Sequence, residues 1–219
     1  MLCAVSVACD DETEGLGTGA GGSGGADNVG GGGTTAATSS TTASSSSSSG
    51  GGSGVELAYD DGDFEEPGAP LENAVGGMFA TRFTPPVLPT TLRTARFYIT
   101  SDGTPTAAFA VRILSVGSDG NPGTDLLSTP LVAQATKGEA WVDVDFAPAN
   151  ISVSGDFFVA MEWQSAPGDT GDTTQFVGLD RTQPDGRSRI FFASTGQWYS
   201  FSEIGGIDRD AMVRVVVNP

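Results

Sequence analysis

Acidic side chains cluster near residue 60, where their oxygen atoms could bind a metal ion. Five carboxylates fall within seven residues: Asp60, Asp61, Asp63, Glu65 and Glu66. Calcium takes about six to eight oxygen ligands from carboxylates, carbonyls and water, so several carboxylates in one loop suit it. The spacing is not that of an EF-hand, which needs a glycine and a distal glutamate after the third acid. The cluster predicts a calcium site of another kind, and solvated turn residues are the alternative.

Two further acids, Asp208 and Asp210, lie just before the last apolar run of the chain. They can join the same site if the first and last strands of the fold are neighbours. The expected calcium ligands are therefore Asp60, Asp61, Asp63, Asp208 and Asp210. A second oxygen-rich loop contains Asp119, Asn121 and Asp125, but a tight turn is sufficient to explain Asp and Asn there.

Aromatic side chains are the second group that could bind a ligand, because a sugar ring can stack on an exposed aromatic ring. Trp198 and Tyr199 follow Gly196 and Gln197 in a loop-like setting, which makes them the expected ligand-binding pair. Trp141 and Trp163 could extend such a platform. Packing in the core is the alternative for all of these side chains.

No catalytic machinery is recognisable, and we expect no enzyme activity. The chain has no histidine, which excludes histidine-based triads and a histidine general base. Its two cysteines are Cys3 and Cys9, so the remainder of the chain has no thiolate nucleophile or Cys-bound zinc. Glu162 with Asp143 or Asp145 could be read as a glycosidase pair, but that interpretation has little specificity in so acidic a chain. Lys137, followed by glycine, is typical of a turn.

The first residues of the chain resemble a bacterial lipoprotein. An apolar run at residues 1–8 ends in Ala8, Cys9 follows, and an acidic patch occupies residues 10–14. The resemblance implies that Cys9 is lipidated and that the protein is exported and anchored to a membrane, the outer membrane or the cell surface being favoured. A complete signal peptide needs roughly 15–30 residues and a positive start, so we expect translation to start upstream of Met1. A cytoplasmic protein and a secreted protein without lipid are the alternatives.

Residues 15–54 are almost entirely Gly, Ser, Thr and Ala. Such a segment buries too little apolar area to offset the entropy of ordering, so it predicts a disordered tether with a root-mean-square span of roughly 35 Å. The expected organisation is a signal-peptide remnant at 1–8, a lipidation site and linker at 9–54, and a folded domain at 55–219. Nothing else in the sequence reaches the roughly 20 apolar residues of a membrane span.

The folded domain has the pattern of an all-β protein. Residues 109–114, 141–146 and 212–217 alternate between apolar and polar side chains, as strands buried on one face do. Turn sequences such as SDGNPG at 118–123 and PDG at 184–186 separate the runs. About ten such strands predict an antiparallel β-sandwich; a jelly roll is the first choice and an immunoglobulin-like sandwich the second.

Several segments, taken in order, resemble the jelly-roll accessory domains of exported bacterial proteases, adhesins and surface proteins. These segments are 59–62, 79–86, 96–99, 119–127, 154–159, 178–180 and 186–188. The resemblance implies a module for adhesion, ligand binding or docking that is often stabilised by calcium and has no enzymatic activity of its own. Here the module is the only recognisable domain.

The charge of the chain limits its partners. Five of the 27 acidic residues precede Val55, so 22 acids and all 10 basic residues lie beyond it, a net charge of −12. Such a surface repels phosphate, which excludes nucleic acid as a partner. The expected partners are a membrane, through the lipid, and a glycan or protein ligand. A passive envelope component without a ligand and a hydrolase are the competing functions.

Overall fold

The computed structural model describes residues 54–70, 75–101, 108–164 and 175–218. The described residues form fifteen strands, one short α-helix and one 3-10 helix. Their bounds are β1 Val55–Leu57, β2 Glu66–Gly68, β3 Met78–Phe83, β4 Thr90–Ser101, β5 Ala108–Val116, β6 Pro122–Asp125, β7 Leu131–Gln134, β8 Gly138–Asp145, a 3-10 helix Ala147–Ala149, β9 Ser152–Val153, β10 Phe157–Trp163, β11 Gln175–Asp180, β12 Ser188–Phe192, β13 Gln197–Ser200, α1 Phe201–Gly205, β14 Asp210–Ala211 and β15 Val213–Asn218.

Eight of these strands form two antiparallel sheets that pack face to face. Sheet one contains β1, β15, β4 and β8 in that order, and sheet two contains β3, β10, β5 and β7. If these eight strands are numbered 1 to 8 along the chain, sheet one has the order 1-8-3-6. Sheet two has the order 2-7-4-5. This is the order of a jelly roll. The predicted antiparallel sandwich is confirmed, and its topology is the first of the two predicted.

The segment from β11 to β14 is inserted between the seventh and eighth strands of this framework. In it, β11 and β14 extend sheet one, and β12 and β13 extend sheet two beyond β3. Buried polar contacts join the sheets at this edge: the backbone N–H of Ala211 donates to Ser188 Oγ at 2.9 Å, and Thr81 Oγ1 lies 3.3 Å from the same hydroxyl. The inserted segment carries many of the charged side chains discussed below.

The core lies between the sheets and follows the predicted alternation. Phe109, Val111 and Ile113 are fully buried, as are Val215 and Val217 of the last strand. The core also contains most of the phenylalanines, several of them packed edge-on against one another. A smaller apolar cluster lies on the outer face of sheet two, and it consists of Ala80, Leu114, Phe158 and Ala160.

The structure corrects two local predictions. The segment Pro122–Asp125, half of which was assigned to a turn, is strand β6 and pairs with β5. The weak apolar run at residues 198–201 also predicts a strand, but strand β13 ends at Ser200 because the short helix α1 begins at Phe201. Ser200 accepts a hydrogen bond from the Glu203 backbone, and the Glu203 side chain accepts from the Ser200 backbone. This capping box favours a helix start over a longer strand.

The predicted signal remnant, the lipidation site Cys9 and the linker up to residue 53 lie outside the described residues. In the part of the chain that the structure describes, no helix has both the length and the apolar character needed to cross a membrane.

Candidate functional site

The outer face of sheet two carries a pair of half-buried aromatic side chains, Trp198 and Phe191. They occupy directly opposite positions on β13 and β12, with ring centroids 5.1 Å apart. Met78 is the next residue across the sheet, opposite Phe191 on β3. Trp198 and Met78 pack against the apolar cluster that contains Phe158. The face therefore presents an aromatic surface supported by a small core of its own.

Tyr199 does not share this face with Trp198. Successive residues of a strand point to opposite sides of its sheet, and Tyr199 packs against the main core with its ring 5.6 Å from that of Phe192. Its hydroxyl donates to Gln197 Oε1 at 2.8 Å. The predicted pair is thus divided between two faces, and Phe191 takes the place beside Trp198.

The other two tryptophans are also separated from Trp198. Trp163 is fully buried, and its indole N–H donates to the carbonyl of Gln175 at 3.0 Å. Trp141 lies on sheet one, where its ring is 5.4 Å from that of Tyr98 and the Arg214 guanidinium lies 4.6 Å from its centroid. The structure therefore does not assemble the tryptophans into one platform.

Salt bridges flank the aromatic pair on the outer face of sheet two. Arg112 donates to Glu162 at 2.6 Å and to Asp125 at 2.9 Å. Arg82 pairs with Asp156 at 2.7 Å. The hydrogen bond to Glu162, together with that to Asp125, raises the pKa of the Arg112 guanidinium against the effect of burial. These carboxylates are partly exposed, so the face combines apolar rings with polar groups that a ligand can reach.

Glu162 lies on the opposite surface of the sandwich from Asp143 and Asp145, the two acids that could form a glycosidase pair with it. Glu162 is on the outer face of sheet two, whereas Asp143 and Asp145 alternate with core residues of β8 and are exposed on sheet one. Asp143 pairs with Arg96 at 2.8 Å. The described geometry thus cannot place this pair on either side of one glycosidic bond. Lys137 is exposed in the connection between β7 and β8.

Arg189 is a third arginine of this face, and the acceptors of its hydrogen bonds among the described residues are neutral oxygens. Its Nε donates to Asn121 Oδ1 at 3.3 Å, and its Nη1 donates to the carbonyls of Gly186 at 2.7 Å and Ser188 at 2.8 Å. Asn121 is itself held by hydrogen bonds from its side chain and backbone to Asp119. The side-chain bond to Asn121 is the main reason that the pKa of Asp119 is lowered. The second oxygen-rich loop therefore positions Arg189.

The first acid of the predicted calcium cluster, Asp60, is engaged in a salt bridge. Both of its carboxylate oxygens accept hydrogen bonds from Arg214 Nε at 3.1 Å, and its side chain has no exposed surface. Asp63 is exposed, and its backbone N–H donates to Asp61 Oδ1 at 2.9 Å. These contacts leave Asp61 as the residue of the predicted trio that meets other carboxylates.

Asp61, Glu65 and Asp180 bring carboxylate oxygens within 4.8 Å of one another. Asp180 is buried, and its two oxygens accept from the backbone N–H groups of Asp61 and Thr182. Among the described residues, none of the three carboxylates has a salt-bridge partner, because the neighbouring Glu66 takes both Arg181 and Arg209. Three uncompensated oxygen ligands, two of them open to water, fit a hard cation such as calcium. Sequence reasoning missed Asp180, which long-range pairing of β2 with β11 brings there.

Asp210 interacts with Asp185 instead, and Asp208 accepts a hydrogen bond from the Arg209 backbone N–H at 3.1 Å. The Asp185 backbone N–H donates to Asp210 Oδ2 at 2.8 Å, and Asp210 Oδ1 has no hydrogen-bond partner among the described residues. Burial raises the pKa of Asp210 to about 7; the backbone hydrogen bond opposes this shift, and the charges of Asp185 and Asp208 reinforce it. The five acids predicted as one calcium site therefore lie in three separate environments.

The strand order defines the class of the chain as a jelly-roll domain. No protein-family model matches the chain, and no curated protein sequence matches it. Among solved structures, it is similar to the crystal structure of the cysteine protease and lectin-like domains of a surface-layer-associated protein of Clostridium difficile, with a TM-score of 0.50 and 12% identity. The match covers 65% of this chain and 32% of that chain, and it shows a common fold.

Proposed function

We propose that the protein is a lipid-anchored protein of the cell envelope whose non-catalytic jelly-roll domain binds a glycan. The binding site is the outer face of sheet two, centred on Trp198 and Phe191. The observation that carries the proposal is this half-exposed aromatic pair, with partly exposed arginines and carboxylates beside it. Aromatic rings stack on the apolar faces of sugars, and charged groups bond to hydroxyls, so the combination suits a carbohydrate.

The carboxylates of this face support binding rather than catalysis. Glu162 and Asp156 each accept hydrogen bonds from an arginine, Arg112 and Arg82 respectively. A general acid for glycosidic cleavage must give a proton to the glycosidic oxygen, whereas each of these carboxylates accepts hydrogen bonds from a guanidinium. The similarity to a chain that includes a lectin-like domain is in keeping with a surface binding module, although that similarity concerns the fold.

Glycan binding is tested with the full chain carrying Cys9→Ser, which keeps it soluble, on an array of envelope and host glycans. We expect binding that Trp198→Ala abolishes. Trp141→Ala is the matched control, because Trp141 lies on sheet one, and thermal unfolding verifies that both variants are folded. No binding to any glycan by the parent protein would favour a passive envelope component, and loss of binding in Trp141→Ala alone would move the site to sheet one.

Membrane anchoring depends on Cys9 in this proposal. A lipidated cysteine carries several acyl chains, which suffice for stable attachment. In cells that express the gene with its own upstream region, metabolic labelling with palmitate and membrane fractionation should find the protein lipidated. Cys9→Ser should abolish both, whereas Cys3→Ser should change neither. Labelling that persists in Cys9→Ser would contradict the assignment.

A calcium ion bound by Asp61, Glu65 and Asp180 is also part of the proposal. When present, the ion would neutralise three carboxylates that have no salt-bridge partner among the described residues. It would join the segment before β2 to the end of β11, because Asp61 and Glu65 belong to the first and Asp180 to the second. Its role would be structural, since these residues lie apart from the aromatic pair in the contacts that the structure describes.

A further inference from the structure

We propose that the glycan carries a carboxylate of the hexuronic-acid type and that Arg189 binds this group while Trp198 and Phe191 stack on the sugar ring. This inference rests on the proposed glycan-binding function and names the ligand class of the same face. It is carried by the charge, the fixed orientation and the position of the Arg189 guanidinium.

Arg189 has no salt-bridge partner among the described residues. Arg82 and Arg112, the other two arginines of the face, each form salt bridges, but no described carboxylate forms one with Arg189. Hydrogen bonds with Ser200 in the helix cap engage the Glu203 carboxylate and are the main cause of its lowered pKa, to which the charge of Arg189 adds a smaller effect. An arginine that forms no salt bridge among the described residues is positioned to bind an incoming anion.

The orientation of Arg189 is fixed before any ligand arrives. A guanidinium has five N–H donors, and hydrogen bonds to Asn121, Gly186 and Ser188 use Nε and Nη1. Both donors of Nη2 remain without an acceptor among the described residues. Gly186 has a φ of 73°, which favours glycine and sets the direction of its carbonyl. Because neutral acceptors hold the group, it is pre-organised without losing its charge, which lowers the entropy cost of binding a carboxylate.

The position of Arg189 matches the dimensions of one acidic sugar. Arg189 and Phe191 are alternate residues of β12 and point to the same face, so they are separated by roughly 7 Å along the strand. Trp198 lies opposite Phe191 on β13, and Ser200 lies opposite Arg189. A pyranose ring over the aromatic pair can therefore place a carboxylate attached to that ring at Arg189.

The overall charge restricts the ligand further. Residues 55–219 carry a net charge of −12, and a field of this sign repels a densely charged polyanion. A single carboxylate at one fixed arginine remains favourable, because a charge-assisted hydrogen bond at short range outweighs the screened repulsion of distant surface charges. The ligand class is thus a largely neutral glycan that contains an isolated hexuronate.

The test uses the full chain with Cys9→Ser and pairs of oligosaccharides that differ only in the hexuronate, one as the acid and one as its carboxyl-reduced neutral form. We expect the parent protein to bind the acid at least about tenfold more tightly, as the loss of one charged hydrogen bond implies. Arg189→Gln should remove this preference and leave weak binding to both forms. Arg189→Lys should retain part of the preference, since it keeps the charge and loses the planar fork.

Arg93→Gln is the matched control, because Arg93 on β4 also lacks a salt bridge among the described residues and its replacement changes the net charge equally. It should leave the preference intact. Equal binding of the acid and its reduced form, or an Arg189→Gln variant that keeps the preference, would overturn this inference and leave the proposed function standing. Binding to neither form, nor to any arrayed glycan, would overturn both.

Discussion

The carboxylate of Asp60 and the guanidinium of Arg214 form an enclosed salt bridge between the segment that follows β1 and the last strand. Arg214 directly precedes the core residue Val215 in β15. Its Nη1 also lies 3.5 Å from a carboxylate oxygen of Glu56. Hydrogen bonding to Asp60 raises the pKa of Arg214. Asp60 therefore attaches the segment before β2 to sheet one.

Replacing Asp60 with Asn should lower the free energy of unfolding by about 3 kcal/mol, because it leaves a largely enclosed guanidinium with one weaker partner. Chemical denaturation with urea measures the change. Asp63→Asn is the control, since Asp63 is exposed, and it should change stability by less than about 0.5 kcal/mol. Similar effects of the two substitutions would mean that the Asp60 salt bridge contributes little.

Calcium should raise the unfolding temperature of the protein if Asp61, Glu65 and Asp180 bind it. At a calcium concentration 100 times the Kd, the stabilisation is about 2.7 kcal/mol. Asp180→Asn should eliminate the difference between thermal scans in calcium and in a chelator. Asp63→Asn should preserve that difference, because Asp63 does not belong to the group. An equal calcium effect in Asp180→Asn would place the ion elsewhere.

Asp210 should make the protein less stable as the pH rises. Its folded-state pKa, about 7, is above the ordinary value of 3.8, so the folded state holds the proton more tightly than the unfolded state. The favourable contribution is complete below about pH 4 and is lost as the pH rises to about 7. Relative to the parent protein, Asp210→Asn should therefore gain stability over this range by about 2–4 kcal/mol. Denaturation of both proteins at a series of pH values measures this gain. A difference in their free energies of unfolding that does not change with pH would contradict the prediction.

Gly178 allows two aromatic rings to lie against sheet one. A Cβ atom at this position would be 2.8 Å from Tyr98 Cδ1 and 3.1 Å from Phe64 Cδ2. Gly178→Ala should therefore cost about 1–3 kcal/mol through overpacking. Gly155→Ala is the control, because nothing lies within 4 Å of its added methyl group, and thermal unfolding should show little change. Equal stability of the two variants would mean that the rings move aside freely.

The alternation of side chains was sufficient to predict the sandwich and its inward residues. Phe109, Val111 and Ile113 could be assigned to the core because a strand with one buried face repeats every two residues. The same rule separates Trp198 from Tyr199, so their opposite orientation follows from the strand that the sequence predicts. The expectation of a joint site considered Trp198 and Tyr199 as loop residues, whereas on strand β13 their side chains lie on opposite faces.

Contacts between distant segments could not be predicted in this way. Asp180 meets Glu65 because β11 pairs with β2, and no local pattern determines which strands become neighbours. The fixing of Arg189 by Asn121 likewise depends on a loop of sheet two crossing its outer face. The acidic residues near residue 60 did indicate a possible cation site. Only the fold shows that Asp61 and Glu65 lie together with Asp180, whereas Asp60 forms a salt bridge with Arg214.

If the proposed lipid anchor holds the domain from its N-terminal side, strand β1 is the first element to bear a mechanical load. Any tension that the preceding residues transmit enters the domain at Val55, and three residue pairs between β1 and β15 oppose it first. If β1 detaches, the load passes to the salt bridge between Asp60 and Arg214. The seven remaining strands of the framework lie beyond that attachment, so β1 can detach and pair again while the proposed ligand-binding face of sheet two stays folded.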